Sequence, residues 1–297
     1  LYRTSDFRGV YQTFNDEEIY YQARVAGVVS GNWKVSNVYI KEHKDEMFLV
    51  PPVAEWIIAL TVFVSGFSVP FVMFLNDIIF TIISFLLFYF LLYRILNSKL
   101  YSIIYSSVFY TLFAHILGRP VNPQLTNIFL LFGLLLIYKI YNSEDKRKIL
   151  NVILGINIGV TLFISPYYGS ALGLIYFILN VVKPLFEEGI LKTINSIKYF
   201  LVSFLPFALV YAFLMSKVSK LSEYADSSVR FGLINTHYIG SHSNILIAVL
   251  CILLYIVSAK IFSIKDRWLL LGFVSSIFIL NWQNVVTGQL IQFASHY

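Results

Sequence analysis

Residues 71–93 read FVMFLNDIIFTIISFLLFYFLLY, an unbroken apolar run whose only acidic or basic side chain is Asp77. Such a run leaves few folds open. The hydrocarbon core of a bilayer is about 30 Å thick, and a helix needs about 20 apolar residues to cross it. Inside it every backbone N–H and C=O must be paired within the segment, which a helix achieves alone. Further apolar runs follow at 100–117, 123–141, 149–166, 167–182, 199–215, 244–263 and 268–282. Only 13% of the chain is charged and 58% is hydrophobic, whereas a soluble domain carries about 25% charged residues. The pattern predicts an all-α, polytopic transmembrane helix bundle of about eight spans. The single cysteine, Cys251, lies inside an apolar run, so neither a disulfide framework nor a thiolate metal site can be built. No Gly-rich nucleotide loop and no nucleic-acid motif is present.

One further segment, Val53 to Phe67, is shorter, is interrupted by Glu55 and follows Pro51-Pro52. Its length suits a helix lying in the membrane interface better than one crossing it.

Basic residues orient the spans. With eight spans, one set of connections holds Arg94, Lys99, Lys139, Lys146, Arg147, Lys148, Lys183, Lys192, Lys198, Lys260, Lys265 and Arg267, which is 12 of the 22 Lys and Arg residues. The opposite short loops hold only Arg119, Lys217, Lys220 and Arg230. Positive charge is retained on the cytoplasmic side, so loops 118–122, 165–168, 216–243 and 281–297 are expected outside. Segment 1–50 carries the other basic residues, and its side depends on Val53–Phe67. A crossing helix puts 1–50 inside, which the basic residues slightly favour; an interfacial helix puts it outside, which helix length favours.

Segment 1–50 also holds seven of the 16 acids: Asp6, Asp16, Glu17, Glu18, Glu42, Asp45 and Glu46. Asn15 can cap a helix whose first turn is Asp16-Glu17-Glu18, where carboxylates suit the positive end of the helix dipole. Ile19, Ala23 and Ala26 recur at helical spacing and predict a packed face. Gly31-Asn32 predicts its end, and Trp33 and Tyr39 suit the headgroup zone. Each acidic cluster taken alone reads as solvated charge; two of them beside aromatic and apolar anchors point to a site.

The order Asp16-Glu17, Tyr20, Ala23-Arg24, Gly31, Trp33, Tyr39, Glu42, Lys44, Pro51-Pro52, Trp56 resembles the first external loop of the GT-C glycosyltransferases. The likeness is greatest to the branch with the protein O-mannosyltransferases and the lipid A aminoarabinose transferase. It covers residues 14–56 and continues loosely through Arg94, GRPVNPQ at 118–124 and NWQNVVTGQLIQFASHY at 281–297. One departure concerns Glu42: in the closest branch the glutamate stands near the Pro step, whereas here His43 to Val50 intervene. The resemblance implies a helix ahead of Leu1, segment 1–51 as the first extracytoplasmic loop, residues 52–70 as an interfacial helix, and 71–297 as the bundle. It also implies a cell-membrane enzyme that moves a sugar from a polyprenyl-phosphate donor to a lipid, glycan or protein acceptor on the outer face.

In that chemistry a carboxylate takes the proton of the attacking hydroxyl, and cations or preorganised donors stabilise the departing lipid phosphate. Asp16 is the expected base, with Glu17 next. Glu42 with His43 and Lys44 would shape the acceptor side or hold a metal; some family members use a divalent metal and others do not. Phosphate partners are expected among Arg119, Lys217, Lys220, Arg230, His115, His237, His242 and His296. Arg119 leads them, because Pro120 and Pro123 stiffen its loop and His115 lies one turn earlier. For each, the plainer reading is a solvated charge or a satisfied histidine.

Two other classes stay open. A lipid-linked sugar flippase or transporter would show ionisable groups inside spans and inverted repeats; here midspan regions are nearly charge-free, with Asp77 read near a helix end. A membrane acyltransferase or glycan ligase would lean on external His or Arg, such as His237 and His242.

Overall fold

The computed structural model describes residues 17–35, 51–117, 121, 123–142, 147–218, 234–235, 242–261, 263–287 and 289–290. These are helical almost throughout, apart from one two-residue strand pair. Two compact units form, one from 1–138 with 160–166 and one from 139–159 with 167–297.

In the first unit, α1 (Glu17–Val29) ends where the sequence places a stop. Gly31 takes φ 96°. The Gly31 N–H donates to the Val28 carbonyl and the Asn32 N–H to that of Gly27, a Schellman closure that needs a left-handed residue at Gly31. Helix α2 (Val53–Ser65) starts at Pro52, carries Glu55 in its first turn and stops at Gly66, φ 69°. At 13 residues it is about 20 Å long, short of a crossing. Pro70 opens α3 (Val69–Leu96), and Asn97 in the left-handed region closes it. Helix α4 (Lys99–Leu117) returns along α3, with Phe88 on Phe109 at 4.7 Å and Phe85 on Tyr110 at 5.5 Å. Helix α5 (Gln124–Asn142) follows.

One buried cluster closes the unit at the α2 end. Val25 of α1, Ala54 and Ile58 of α2, Val72 and Met73 of α3, and Val121, Leu125 and Ile164 meet there. At the opposite end of α3, the Tyr138 hydroxyl donates to the Arg94 carbonyl at 2.7 Å.

In the second unit, α6 (Arg147–Ile164) contributes residues up to Gly159. Helix α7 (Pro166–Phe177) runs through a π turn, Ile178–Val182, into α8 (Lys183–Glu187). Helix α9 (Ile190–Val218) holds Pro206 in its interior, which removes one rung of the backbone ladder. Helices α10 (His242–Ile261) and α11 (Ile264–Thr287) follow. Strands β1 (Ile234–Asn235) and β2 (Gln289–Leu290) pair antiparallel.

Close approach organises this unit. A Cβ on Gly155 would stand 2.8 Å from the Phe200 carbonyl oxygen, and one on Gly159 would stand 2.7 Å from Cβ of Phe207. The Gly155-Ile156-Asn157-Ile158-Gly159 stretch is thus a small-xxx-small seam that lets two backbones meet. Tyr176 stacks on Phe200 at 4.1 Å and donates to Asn151 Oδ1 at 2.7 Å.

All eight long apolar runs of the sequence correspond to helices, although α9 begins at Ile190, nine residues ahead of its expected start. Among the described residues, four helices are long and apolar enough to cross a membrane: Val69–Leu96, Gln124–Asn142, Pro166–Glu187 and Ile197–Val218. Large apolar side chains stand exposed along them, among them Ile82, Val202 and Leu209; a water-soluble surface rarely tolerates such patches.

Two local expectations need correction. The packed face of α1 is not Ile19-Ala23-Ala26, all of which are exposed. Val25 is fully buried, with Tyr21, Val28 and Val29 beside it. Asp77 is not at a helix end but about two turns inside α3, where it is buried.

Candidate functional site

The α2 end of the first unit gathers the described part of the acidic leader. Arg24 stands on α1 two turns after Glu17 and reaches across to α2. Its Nε donates to Glu55 Oε1 in a largely buried ion pair. Its Nη1 donates to the Tyr20 hydroxyl at 3.1 Å and to the Val35 carbonyl at 3.4 Å. Burial opposes the charge on Arg24, but the Glu55 carboxylate, then Tyr20, outweigh that penalty and hold the guanidinium above its usual pKa. The contribution of this cation is therefore full below the unfolded arginine value and lost only as pH rises past the folded one, so Arg24 stays charged across the physiological range. Glu55 at the first turn of α2 also complements that helix's positive end.

The ion pair explains the rotation of α1. A buried charge without its partner is far costlier than a misplaced alanine. Facing Arg24 toward Glu55 turns Val25 inward and leaves Ile19 and Ala23 outside.

Trp33, just beyond α1, and Trp56, on α2, lie beside each other at 6.5 Å, and Trp56 Nε1 donates to the Trp33 carbonyl at 2.9 Å. On the far side of α2, Leu60, Phe63 and Val64 are exposed. The helix thus packs one face on protein and presents an apolar face outward, with an indole edge beside it.

A second polar group lies at the same end. Gln124, the last residue of GRPVNPQ, donates from Nε2 to Asp77 Oδ1 at 2.9 Å. Asn76, Asp77 and Gln124 are all more than nine-tenths buried. Asp77 Oδ2 and Asn76 Nδ2 have no hydrogen-bond partner among the described residues. Sequence reasoning passed over Glu55, Asn76 and Gln124. The signals were present in an acid inside a short apolar helix and an Asn-Asp pair inside a long one.

The residues expected from the sequence lie mostly elsewhere. Asp16, Glu42, His43, Lys44, Arg119, Lys220, Arg230, His237 and His296 lie outside the described residues. Glu17, His115 and His242 are placed as helix backbone only: first described residue of α1, last turn of α4 and first residue of α10. Lys217, at the end of α9, is exposed and folds over the Phe213 ring at 4.4 Å. The pairing of Ile234 with Leu290 joins the 216–243 connection to the 281–297 segment. Among the described residues no group of three His, Cys, Asp or Glu side chains could hold a metal ion.

No family model, no curated protein and no solved structure matches this chain.

Proposed function

We propose that the chain is an integral membrane glycosyltransferase of the GT-C kind. It moves a sugar from a polyprenyl-phosphate donor to a lipid, glycan or protein acceptor at the outer face of the cell membrane. In this reading α4, α6, α10 and α11 cross alongside the four apolar helices, segment 1–51 is extracytoplasmic, and α2 lies along the interface.

One observation supports the reading above the others. Val25 of the acidic leader, helix α2, Val121 of the 118–124 motif and Ile164 beside the 165–168 loop share one buried cluster. The distribution of Lys and Arg independently assigns the 118–122 and 165–168 loops to one side of the membrane. The opposite end of α3 carries Arg94 beside Tyr138, next to Lys99 and Lys139 of the cytoplasmic set. An apolar outward face on a helix of 13 residues suits the interface.

Mechanistically, Asp16 accepts the proton of the acceptor hydroxyl as its oxygen attacks the anomeric carbon. The bond from that carbon to the phosphate oxygen breaks, and the polyprenyl phosphate leaves with the electron pair. Arg119 stabilises the departing anion in a site kept poor in water. Glu17 begins the described part of α1, and the Arg24–Glu55 pair lies two turns further along the same helix.

Asp16→Asn is expected to abolish transfer from a labelled polyprenyl-phosphate sugar while membrane insertion is unchanged. Undiminished transfer removes Asp16 from the reaction. A second reading, a lipid-linked sugar flippase, gains from buried Asp77, because ionisable groups within spans mark transport paths. The same labelled donor separates the two: a transferase consumes it, and a flippase only moves it between leaflets.

A further inference from the structure

Asn76 and Asp77 offer a hydrogen-bond donor and an acceptor that the described residues leave unused. Asp77 Oδ1 takes the amide of Gln124, while Asp77 Oδ2 and Asn76 Nδ2 have no partner among the described residues. Leaving such atoms enclosed is unfavourable, and each one calls for an explanation. Simple packing does not supply it, since Leu at either place would fit an apolar helix without the penalty.

The position narrows the ligand. Asp77 lies eight residues into α3, about 12 Å from its N-terminus. With 28 residues the helix is about 42 Å long, so it exceeds a hydrocarbon core of about 30 Å. Were the excess shared between its ends, Asp77 would lie only about 6 Å below one boundary. That is headgroup-adjacent depth, on the side of α2 and of the 118–124 motif.

Successive helix residues point about 100° apart, so the free donor and the free acceptor address two neighbouring groups rather than one atom. Carbohydrate hydroxyls each donate and accept, and adjacent ring hydroxyls meet such a pair. A phosphate would be repelled by the carboxylate, and a cation would gain nothing from the Asn76 amide N–H. We propose that Asn76 and Asp77 bind hydroxyls of the donor's sugar, with Gln124 as the positioning residue that holds the Asp77 carboxylate in register. This rests on the lipid-linked sugar reading above. Both atoms are enclosed, so entry of the ligand requires the helices packed around them to part.

The test measures the affinity of purified protein in nanodiscs for two synthetic lipids: a polyprenyl-phosphate hexose and the same polyprenyl phosphate without sugar. Asp77→Asn keeps an acceptor for Gln124 and nearly the same shape; Asn76→Leu removes the free donor by a different route. The proposal expects each to bind the sugar-free lipid within about twofold of wild type and the hexose lipid about tenfold more weakly. Retention of the full sugar-dependent gain by both variants overturns it. Equal loss for the two lipids overturns it too, since that reports a structural role. A wild-type protein that binds both lipids equally instead overturns the lipid-linked sugar reading, and this site with it. Should one variant fail to fold, judged by its thermal unfolding, the other carries the comparison.

Discussion

The two units of this chain solve the same problem by different means. In and beside a bilayer, apolar contact alone selects helix partners poorly, because lipid tails are as apolar as leucine. The first unit answers with charge: an Arg24–Glu55 pair taken out of water and an Asp77–Gln124 bond nearby. The second answers with shape, where Gly155 and Gly159 let one backbone settle against Phe200 and Phe207, and neutral Tyr176 bonds Asn151. Charge specifies partner and rotation strongly but fails badly if half is lost. A small-residue seam specifies less sharply and fails by degrees. The described part of the acidic leader, residues 17–35, belongs to the unit with the strict rule.

The contrast can be broken most forcefully at Glu55. Glu55→Ala strands a buried guanidinium and should cost about 3–5 kcal/mol, whereas Arg24→Leu with Glu55→Leu should recover most of that loss. Denaturant titration in detergent reads both, and a double variant as unstable as the single one would show that the pair is not the pin. At Gly159, Gly159→Ala drives a Cβ against Phe207 and should cost about 1–3 kcal/mol, seen as a lower melting temperature. A loss as large as at Glu55 would erase the distinction between the units. The smallest effect belongs to Tyr138→Phe, which removes one exposed hydrogen bond to the Arg94 carbonyl and should change stability by about 0.5–1.5 kcal/mol.

Hydropathy and length are local properties, and they made the helices legible. Each apolar run became a helix, Gly31 stopped α1, and α2 has only 13 residues. What stayed hidden depends on residues far apart in the chain. Nothing between Ile19 and Ala26 announces that Arg24 will meet Glu55, 31 positions later, so apolar spacing picked the wrong face of α1. Asp77 looked like a terminal charge because helix α3 begins earlier than its most apolar stretch. The glycine seam was written in plain view at 155–159, yet only the approach of Phe200 and Phe207 gives it a partner. The acids at 16 and 42 lie outside the described residues, so spacing is all that groups them.

The meeting of Trp33 and Trp56 gives this protein an optical handle of its own. The chain has four tryptophans, and these two stand at the joint between leader and short helix. Their emission should shift to the red if the leader undocks. Brominated lipids that quench it from shallow positions, but not from deep ones, would read how far the helix sits in the bilayer without attaching any probe.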